Sequence, residues 1–233
     1  MNAEPTELVL FDLDGTLLDG DSELAWTDFL AHKGLLDPAE RLRNARAFEH
    51  AYHSGKLDEG RFVDFHLAPT RALKHQPRSG LDALNREFQH TVVPAMIRPG
   101  ARALVAHHGE AGALLALVTA TNSFISGPIA RALGFEHLIA TVLEQDGSGR
   151  FTGHCHGRPA FRAGKIERVE HWLAARGTHR DAFHRRVFYS DSINDLPLLE
   201  WATDPVVITP DAALAALAGQ RRWPTLSSLA VGR

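Results

Sequence analysis

Short apolar runs that stop at polar residues constrain the fold of this chain more than any other feature of its sequence. Four such runs occur, at residues 8–11, 114–118, 187–189 and 205–208. Continuous apolar runs of this length are typical of parallel strands that are buried on both faces. Helix-like stretches separate them, notably 101–108, 124–133 and 165–176. Alternation of strands and helices predicts an α/β fold with a mostly parallel sheet.

The segment between the first two runs has a different pattern, because no strand-like run occurs from about residue 20 to residue 93. Three stretches have the spacing of amphipathic helices, 24–30, 45–52 and 62–67, and four residues punctuate them, Pro38, Gly55, Pro69 and Pro77. Pro94 and the corner at Arg98-Pro99-Gly100 precede the next α/β unit. We therefore predict a small all-helical cap domain at residues 20–96. It is inserted after the first strand of a core made from residues 1–19 and 97–233.

Composition excludes several classes of function. The net charge is −3 and no basic block occurs, so the sequence does not predict nucleic-acid binding. No stretch approaches the roughly 18 apolar residues that a membrane span requires. Cys155 is the single cysteine, and the acidic N-terminus lacks the basic and apolar regions of a signal peptide. We expect a cytoplasmic protein without a membrane partner.

Two pairs of carboxylates follow predicted strands, at the edge where open α/β sheets bind their ligands. Asp12 and Asp14 offer the oxygen ligands that magnesium prefers, and one of them can attack phosphorus while the other moves a proton. Taken alone, this pair also fits a solvated turn. Asp191 and Asp195 either share a helical face or flank a strand-to-helix turn, and capping of a helix by Asp191 or Asn194 is the alternative.

Thr119 and Lys165 add two candidates for binding a phosphate. Thr119 ends the second predicted strand, where its hydroxyl and the amides after it are available to a phosphate oxygen. Lys165 brings a positive charge at the start of a predicted helix. A strand terminus and a solvated lysine are the alternatives. Taken in order, the groups resemble the four motifs of the haloacid-dehalogenase-like phosphatase superfamily over nearly the whole chain. They are Asp12-Leu13-Asp14-Gly15-Thr16, Thr119, Lys165 and Asp191-Ser192-Ile193-Asn194-Asp195.

The resemblance implies a Rossmann-like core and a magnesium-dependent mechanism. Asp12 would attack phosphorus to form an aspartyl-phosphate, Asp14 would act as the acid and base, and Thr16 would support the loop. The implied phosphate-binding residues are Thr119, Ala120, Lys165 and Asn194. The implied Mg²⁺ ligands are Asp12, Asp14, Asp191 and Asp195. The second carboxylate favours phosphoryl transfer over dehalogenation, because a leaving halide needs no proton.

The predicted cap resembles that of the phosphoserine-phosphatase-like subfamily. Asp21 falls where those enzymes carry an acidic residue that faces the substrate amine, although an N-cap for the first cap helix is an equal alternative. Gly55-Lys56-Leu57-Asp58 resembles a segment of their caps, and counting onward places their carboxylate-binding Arg at Asp64. An acidic residue cannot clamp a carboxylate, and Arg61 lies one helical turn away as a substitute.

These departures favour a substrate that has an amine but no carboxylate. The second motif also reads Thr119-Ala120-Thr121-Asn122, where the phosphoserine enzymes have Ser-Gly-Gly. The resemblance therefore indicates a phosphomonoesterase for a small phosphorylated metabolite, an amino-alcohol phosphate such as histidinol phosphate. Asp21 and Asp64 would pair with its ammonium and its imidazolium.

Other functions stay open at this point. Phosphoserine is the alternative substrate, and a phosphotransferase would use the same aspartyl-phosphate. A non-enzymatic binding module is disfavoured because Asp12 and Asp14 are both intact. His154-Cys155-His156 offers good zinc ligands, but no fourth ligand stands at matching spacing. Its surroundings favour the alternative, a hairpin like the one that precedes the lysine motif in this superfamily.

Overall fold

A six-stranded sheet, parallel throughout, forms the core of the computed structural model, which describes residues 5–53 and 58–229. The strand order is β3-β2-β1-β6-β7-β8. The strands are β1 (Glu7–Phe11), β2 (Leu114–Asn122), β3 (Leu138–Thr141), β6 (Arg185–Ser190), β7 (Asp204–Ile208) and β8 (Thr225–Leu226). A separate antiparallel hairpin consists of β4 (Leu143–Gln145) and β5 (Phe151–Cys155). The predicted α/β class and the hairpin are both confirmed.

Alternation along the central strand explains why helices cover both faces of the sheet. Val9 and Phe11 belong to one apolar cluster and Leu8 and Leu10 to another, because successive side chains of a strand point to opposite faces. The helices of the core are α6 (Ala101–Glu110), α7 (Ser123–Leu133), α8 (Ala163–Ala175), α9 (Leu196–Trp201) and α10 (Ala212–Arg221). No helix of the described residues is long and apolar enough to cross a membrane.

Five further helices lie between β1 and α6. They are α1 (Ser22–His32), α2 (Pro38–His53), α3 (Glu59–Ala72), α4 (Arg78–Thr91) and α5 (Val93–Met96). The two connections to this helical segment run side by side, since Asp19 N donates to Met96 O at 2.7 Å and Arg98 N donates to Leu17 O at 3.0 Å. Both ends of the helical segment are therefore fixed at one place beside the strand ends.

Three details differ from the sequence prediction. The second strand continues past Thr119 to Asn122, so Thr119 lies inside β2 and does not end it. Pro69 lies within α3, where its ring removes one backbone donor without ending the helix. The short strand β3 was not predicted. The predicted cap motif lies outside the described residues except for Asp58, which is the N-cap of α3.

Candidate active site

A buried lysine joins two carboxylates at the carboxyl ends of β1 and β6. Lys165 Nζ, in the first turn of α8, lies 2.7 Å from Asp12 Oδ1 and 2.7 Å from a carboxylate oxygen of Asp195. The three residues are at most 6% exposed. Ser190 Oγ, the last residue of β6, donates a further hydrogen bond of 2.8 Å to Asp195. Three chain segments thus hold one charged network at a single point.

The charges of this network follow from its burial. Burial raises the pKa of Asp12 to about 7, although the Lys165 ammonium acts in the opposite direction. Burial lowers the pKa of Lys165, but the charges of Asp12 and Asp195 outweigh it and the net direction is upward. Lys165 therefore stays positively charged, and it is one cation shared between two carboxylates.

A single hydroxyl connects Asp12 to Asp191. Thr16 Oγ1 lies 2.9 Å from Asp191 Oδ1 and 3.3 Å from Asp12 Oδ2, so the three side chains form a compact group. Gly15 makes this approach possible, because its φ is +73° and a Cβ atom there would lie 2.1 Å from Asp191 Oδ2. Burial, and next the charge of Asp12, raise the pKa of Asp191 well above its ordinary value.

Asp14 is held at the junction of α1 and β2. Its Oδ1 accepts a hydrogen bond of 2.7 Å from Ser22 N, and its Oδ2 accepts one of 2.6 Å from Thr121 Oγ1. Burial and the charge of Asp21 raise the pKa of Asp14 to about 6, while the hydrogen bonds oppose that rise. A carboxyl group with this pKa can both give and take a proton near neutral pH.

The donor set fits a hard cation that is bound by oxygen. Five carboxylates line one cavity together with a single ammonium, Lys165; they are Asp12, Asp14, Asp21, Asp191 and Asp195. Within 5–53 and 58–229, no three His, Cys, Asp or Glu side chains come together as a metal cluster. Backbone carbonyls and waters would complete a Mg²⁺ site beside these carboxylates, since Mg²⁺ usually keeps several waters.

The other predicted phosphate ligands lie in the same cavity, whose volume is about 450 Å³. Thr119 and Ala120 line it from β2, and Thr119 Oγ1 accepts a hydrogen bond of 3.1 Å from Thr121 N. Asn194 lines it from the turn after β6, and its Oδ1 accepts a hydrogen bond of 2.9 Å from Arg162 Nε. That bond leaves the amide N–H groups of Asn194 as the donors available to a ligand.

The predicted residues of the cap divide into two groups. Asp21 lines the cavity and also caps α1, since its Oδ1 accepts a hydrogen bond of 2.8 Å from Leu24 N. Both interpretations of Asp21 therefore fit the structure. Asp64 and Arg61, in contrast, are exposed and do not line the cavity, and Asp64 forms an ion pair of 3.0 Å with Arg71. The prediction that Asp64 contacts the substrate must be corrected.

The physical reason for this correction is the phase of α3. Phe62 and His66, four residues apart, share the face that lines the cavity, and residues two away from either lie on the far side of a helix. His154-Cys155-His156 follows the interpretation that the sequence favoured, which is a hairpin. It ends the β4–β5 hairpin, and burial raises the pKa of Cys155, which disfavours the thiolate that a zinc site would use.

Sequence reasoning missed two groups of residues around the cavity. One is aromatic: Phe48, Phe62, His66 and Phe161. The other connects α1 to the core and consists of Ser22, Glu23, Thr121 and Asn122. Both carboxylate oxygens of Glu23 accept from Asn122 Nδ2, at 3.0 and 3.1 Å. The spacing of Phe62 and His66, four residues apart, is a sequence signal for one helical face. The contacts between α1 and β2 join distant residues and leave no signal in the sequence.

Known proteins place this geometry in a family. The model of the haloacid dehalogenase-like hydrolase family matches residues 9–200. The chain belongs to this family. It is therefore an enzyme, and its relatives make it a phosphatase of the family, as predicted.

Two relatives among curated proteins cover most of this phosphatase. It is 40% identical over 220 residues to a histidinol-phosphatase of Neisseria meningitidis, with 94% of this chain and 98% of the relative aligned. It is 30% identical over 218 residues to a phosphoserine phosphatase of Mycobacterium tuberculosis, with 94% of this chain and 70% of the relative aligned.

Solved structures agree with the fold. A Bordetella pertussis protein of unknown function superposes with a TM-score of 0.87 at 44% identity, covering 96% of this chain and 99% of that one. A substrate-bound phosphoserine phosphatase superposes with a TM-score of 0.65 at 16% identity, covering 97% and 93%. The second likeness concerns the fold alone.

Proposed function

We propose that this phosphatase is a Mg²⁺-dependent phosphomonoesterase that forms an aspartyl-phosphate on Asp12, and that its substrate is an amino-alcohol phosphate such as histidinol phosphate. The observation that carries the chemistry is the position of Lys165 Nζ, 2.7 Å from both Asp12 and Asp195. A fixed cation at this point offsets the repulsion between an anionic nucleophile and an anionic phosphate.

The reaction has two steps. In the first, a carboxylate oxygen of Asp12 forms a bond to phosphorus, the bond to the leaving oxygen breaks, and Asp14 gives that oxygen a proton. In the second, Asp14 takes a proton from water, whose oxygen bonds to phosphorus as the bond to Asp12 breaks. A pKa of about 6 for Asp14 supports both roles.

The remaining residues hold the phosphoryl group and the metal. Thr119, Ala120, Lys165 and Asn194 would bind the phosphoryl oxygens. Asp12, Asp191 and the backbone carbonyl of Asp14 would hold Mg²⁺, with Asp195 orienting Lys165 or a water. When bound, the ion supplies positive charge where negative charge accumulates in the transition state.

The choice of substrate is supported by the charges around the cavity. Among the described residues that line it, Lys165 is the only cation, because burial lowers the pKa of His66 to about 4. Nothing there resembles the Arg clamp that a substrate carboxylate needs. Asp21 offers a carboxylate to an amine. The 40% identity to a protein named histidinol-phosphatase points to the same class of substrate.

A panel of phosphorylated metabolites tests this proposal with the wild type, Asp12→Asn and Asp19→Asn. Asp19 is the matched control, since it lies in the same loop with a side chain that is 86% exposed. We expect the highest kcat/KM for histidinol phosphate, and dependence on Mg²⁺. Asp12→Asn should lower kcat at least roughly 10⁴-fold and Asp19→Asn less than about twofold.

Three outcomes of this panel would contradict the proposal. A clear preference for phosphoserine would contradict the substrate, and near-normal turnover by Asp12→Asn would contradict the nucleophile. Transfer of most of the phosphoryl group to an added alcohol would identify a phosphotransferase that uses the same intermediate. Circular dichroism of each variant checks that the fold is retained.

A further inference from the structure

The cavity has two chemically different ends, and the second end indicates what part of the substrate it binds. The end at the strand termini carries the charged residues described above. The end under α1, α2 and α3 is lined mainly by rings, with one carboxylate beside them. Its lining residues are Asp21, Leu24, Phe48, Phe62, His66 and Phe161. An inference about this end rests on the proposed function, since the phosphate must occupy the other end.

Three of the rings form one stack across the boundary between the helical segment and the core. Phe62, on α3, lies 4.1 Å from Phe161 with only 7° between the ring planes, and 3.8 Å from His66 at 30°. Phe161 precedes α8, four residues before Lys165. Ala120 packs against the Phe62 and Phe161 cluster, so the stack begins directly beside the phosphate-binding residues. We call Phe62, His66 and Phe161 the aromatic wall.

Phe62 stacks on both Phe161 and His66, so a flat ligand can extend this stack at one of its ends, on the ring of Phe161 or of His66. Stacked rings at distances of roughly 4 Å are in van der Waals contact. An aromatic ligand extends such a stack with little loss of side-chain conformational entropy, because the rings are already ordered. A branched aliphatic ligand covers less of the same surface. Phe48 approaches His66 edge-on, with centroids 5.5 Å apart at 72°, which closes the stack on the side of α2.

His66 adds a directional group to this apolar surface. Its Nδ1 lies 2.9 Å from the carbonyl oxygen of Phe62, and since a carbonyl only accepts, the proton of the neutral ring sits on Nδ1. Nε2 is then a bare acceptor. Among the described residues no hydrogen bond to Nε2 is formed, and His66 lines the cavity. The wall thus offers a lone pair to a ligand that carries an N–H group.

Asp21 completes the arrangement on the side of α1. It lines the cavity, as Asp14 and Leu24 do, and its hydrogen bond from Leu24 N fixes the side chain in the N-cap position. Asp64 and Arg61 do not line this space. Asp21 is therefore the carboxylate that meets a substrate amine at this end, and the imidazole partner predicted at Asp64 has to be sought elsewhere.

We propose that the aromatic wall binds a planar nitrogen heterocycle of the substrate, with its N–H directed to His66 Nε2, while Asp21 binds the neighbouring amine. The physiological substrate is then an amino-alcohol phosphate that carries a heteroaromatic ring. Specificity for the ring and specificity for the amine reside in different residues, and each can be removed separately.

Two pairs of substrates separate these contributions. Histidinol phosphate and alaninol phosphate share the phosphate and the amine but differ in the ring. Alaninol phosphate and n-propyl phosphate differ chiefly in the amine. For each variant the measured quantity is the ratio of kcat/KM within a pair. This ratio does not depend on the fraction of enzyme that is correctly folded, so a partly unfolded variant still gives a valid result.

We expect Phe62→Leu and His66→Phe each to lower the ring ratio about tenfold, the first because it removes the ring that aligns Phe161 with His66 and the second because it removes the acceptor. The control Phe29→Leu changes the same residue type on α1, where the ring packs on Trp26 and Phe88 and does not line the cavity, and it should leave the ring ratio within about twofold. Asp21→Asn keeps the helix cap and should lower the amine ratio about tenfold. Its control, Asp64→Asn, should not.

The outcomes distinguish failure of this inference from failure of the proposed function. Absence of Mg²⁺-dependent turnover of all three esters by the wild type would overturn the proposed function, and this inference with it. Turnover with a wild-type ring ratio near one, or with a ring ratio that Phe62→Leu and His66→Phe leave unchanged, would overturn the aromatic wall while the phosphatase chemistry stands. An amine ratio that Asp21→Asn leaves unchanged would overturn the assignment of Asp21.

Discussion

The two sides of the cavity hold their charged residues in different ways. At the strand ends, Asp12, Lys165 and Asp195 are buried and bonded to one another, and they come from three separate segments of the chain. On α3, Asp64 and its partner Arg71 are exposed to water. A buried network loses heavily when one member is removed, whereas an exposed pair is screened by solvent.

We infer that the sheet carries the reaction and that the helical segment carries the selectivity for the substrate. In the proposed reaction, the sheet fixes the groups that must stay within hydrogen-bond distance of the phosphate. The helical segment presents one face of α3 and the first turn of α1, and the chemistry of those faces can change without disturbing the sheet. The first three of the predictions below set a residue on one side against a residue on the other or against a neighbour, and the fourth compares one residue at two pH values.

Lys165→Met should have the largest effect, because it leaves Asp12 and Asp195 buried without their shared cation. We expect a loss of roughly 3–5 kcal/mol in the free energy of unfolding, and a fall in kcat of at least roughly 10³-fold. Lys33→Met is the matched control, since Lys33 pairs with Glu87 at the surface of the helical segment. It should cost at most about 1 kcal/mol. Urea denaturation and steady-state kinetics measure both, and equal losses would refute the contrast.

Gly15→Ala should misplace Asp191, because the new Cβ atom would lie 2.1 Å from its carboxylate. We expect kcat to fall on the order of 10²-fold, with a weaker apparent affinity for Mg²⁺. Gly20→Ala separates this clash from backbone strain, since Gly20 also has a positive φ, +91°, but no atom within 4 Å of its Cβ position. Gly20→Ala should cost only about 1 kcal/mol of stability. Similar activities of the two variants would show that the approach of Asp191 is unimportant.

Mg²⁺ should stabilise the protein more at high pH than at low pH. Burial raises the pKa of Asp12 to about 7 and of Asp14 to about 6 in the folded protein, against 3.8 as the ordinary value. The folded state therefore retains protons that the unfolded state has lost, and the stability of the metal-free protein falls as pH rises from about 4 to about 7. Mg²⁺ competes with those protons.

Thermal unfolding with excess Mg²⁺ and with a chelator, at about pH 5 and about pH 8, measures this difference. A concentration of 100 times the Kd should add about 2.7 kcal/mol at the higher pH and less at the lower. Asp64→Asn, on the exposed side, should leave the increments unchanged. Equal increments at the two pH values would contradict the assignment of Asp12 to the metal.

Glu23→Gln should have the smallest effect, and it should be stabilising. Burial raises the pKa of Glu23 well above its ordinary value, and the charges of Asp21 and Asp14 add to this. In the wild type the carboxylate therefore costs stability increasingly as pH rises above about 4.5, whereas Gln keeps the bond from Asn122 without a charge. We expect a gain on the order of 1 kcal/mol at about pH 8 and little change at about pH 4. A loss at the higher pH would be incompatible with this account.

The core was predictable because its signals are local and ordered along the chain. The pattern of a buried strand followed by a carboxylate occurs at Asp12 and at Asp191. Parallel strands bring their carboxyl ends to one edge of the sheet, so these carboxylates come together. The family and the fold followed from that order, and both are confirmed. The roles of the individual residues stay predictions that the variants above address.

The segment between β1 and α6 was predictable as helical but not in detail. Counting along the chain points to Asp64, whereas a displacement of two residues, from Asp64 to His66, moves a side chain by about 200° around a helix. The contact between Phe62 and Phe161 joins residues 99 positions apart, and so do the Ser22 and Glu23 contacts to β2. No local pattern reports such a contact, because it depends on how the helical segment sits on the core.

The hydrogen bond from Ser22 N to Asp14 has a consequence for how large substrates are rejected. The backbone N–H of Ser22, at the start of α1, donates to one oxygen of the Asp14 carboxylate, and the hydroxyl of Thr121 on β2 donates to the other. In the proposed mechanism, a ligand too bulky for α1 to remain against β2 would break one of these hydrogen bonds and leave Asp14, the proton donor, without one of its partners. A poor fit at the helices would then slow the proton transfer from Asp14, so a wrong ester that reaches Asp12 would still be cleaved slowly.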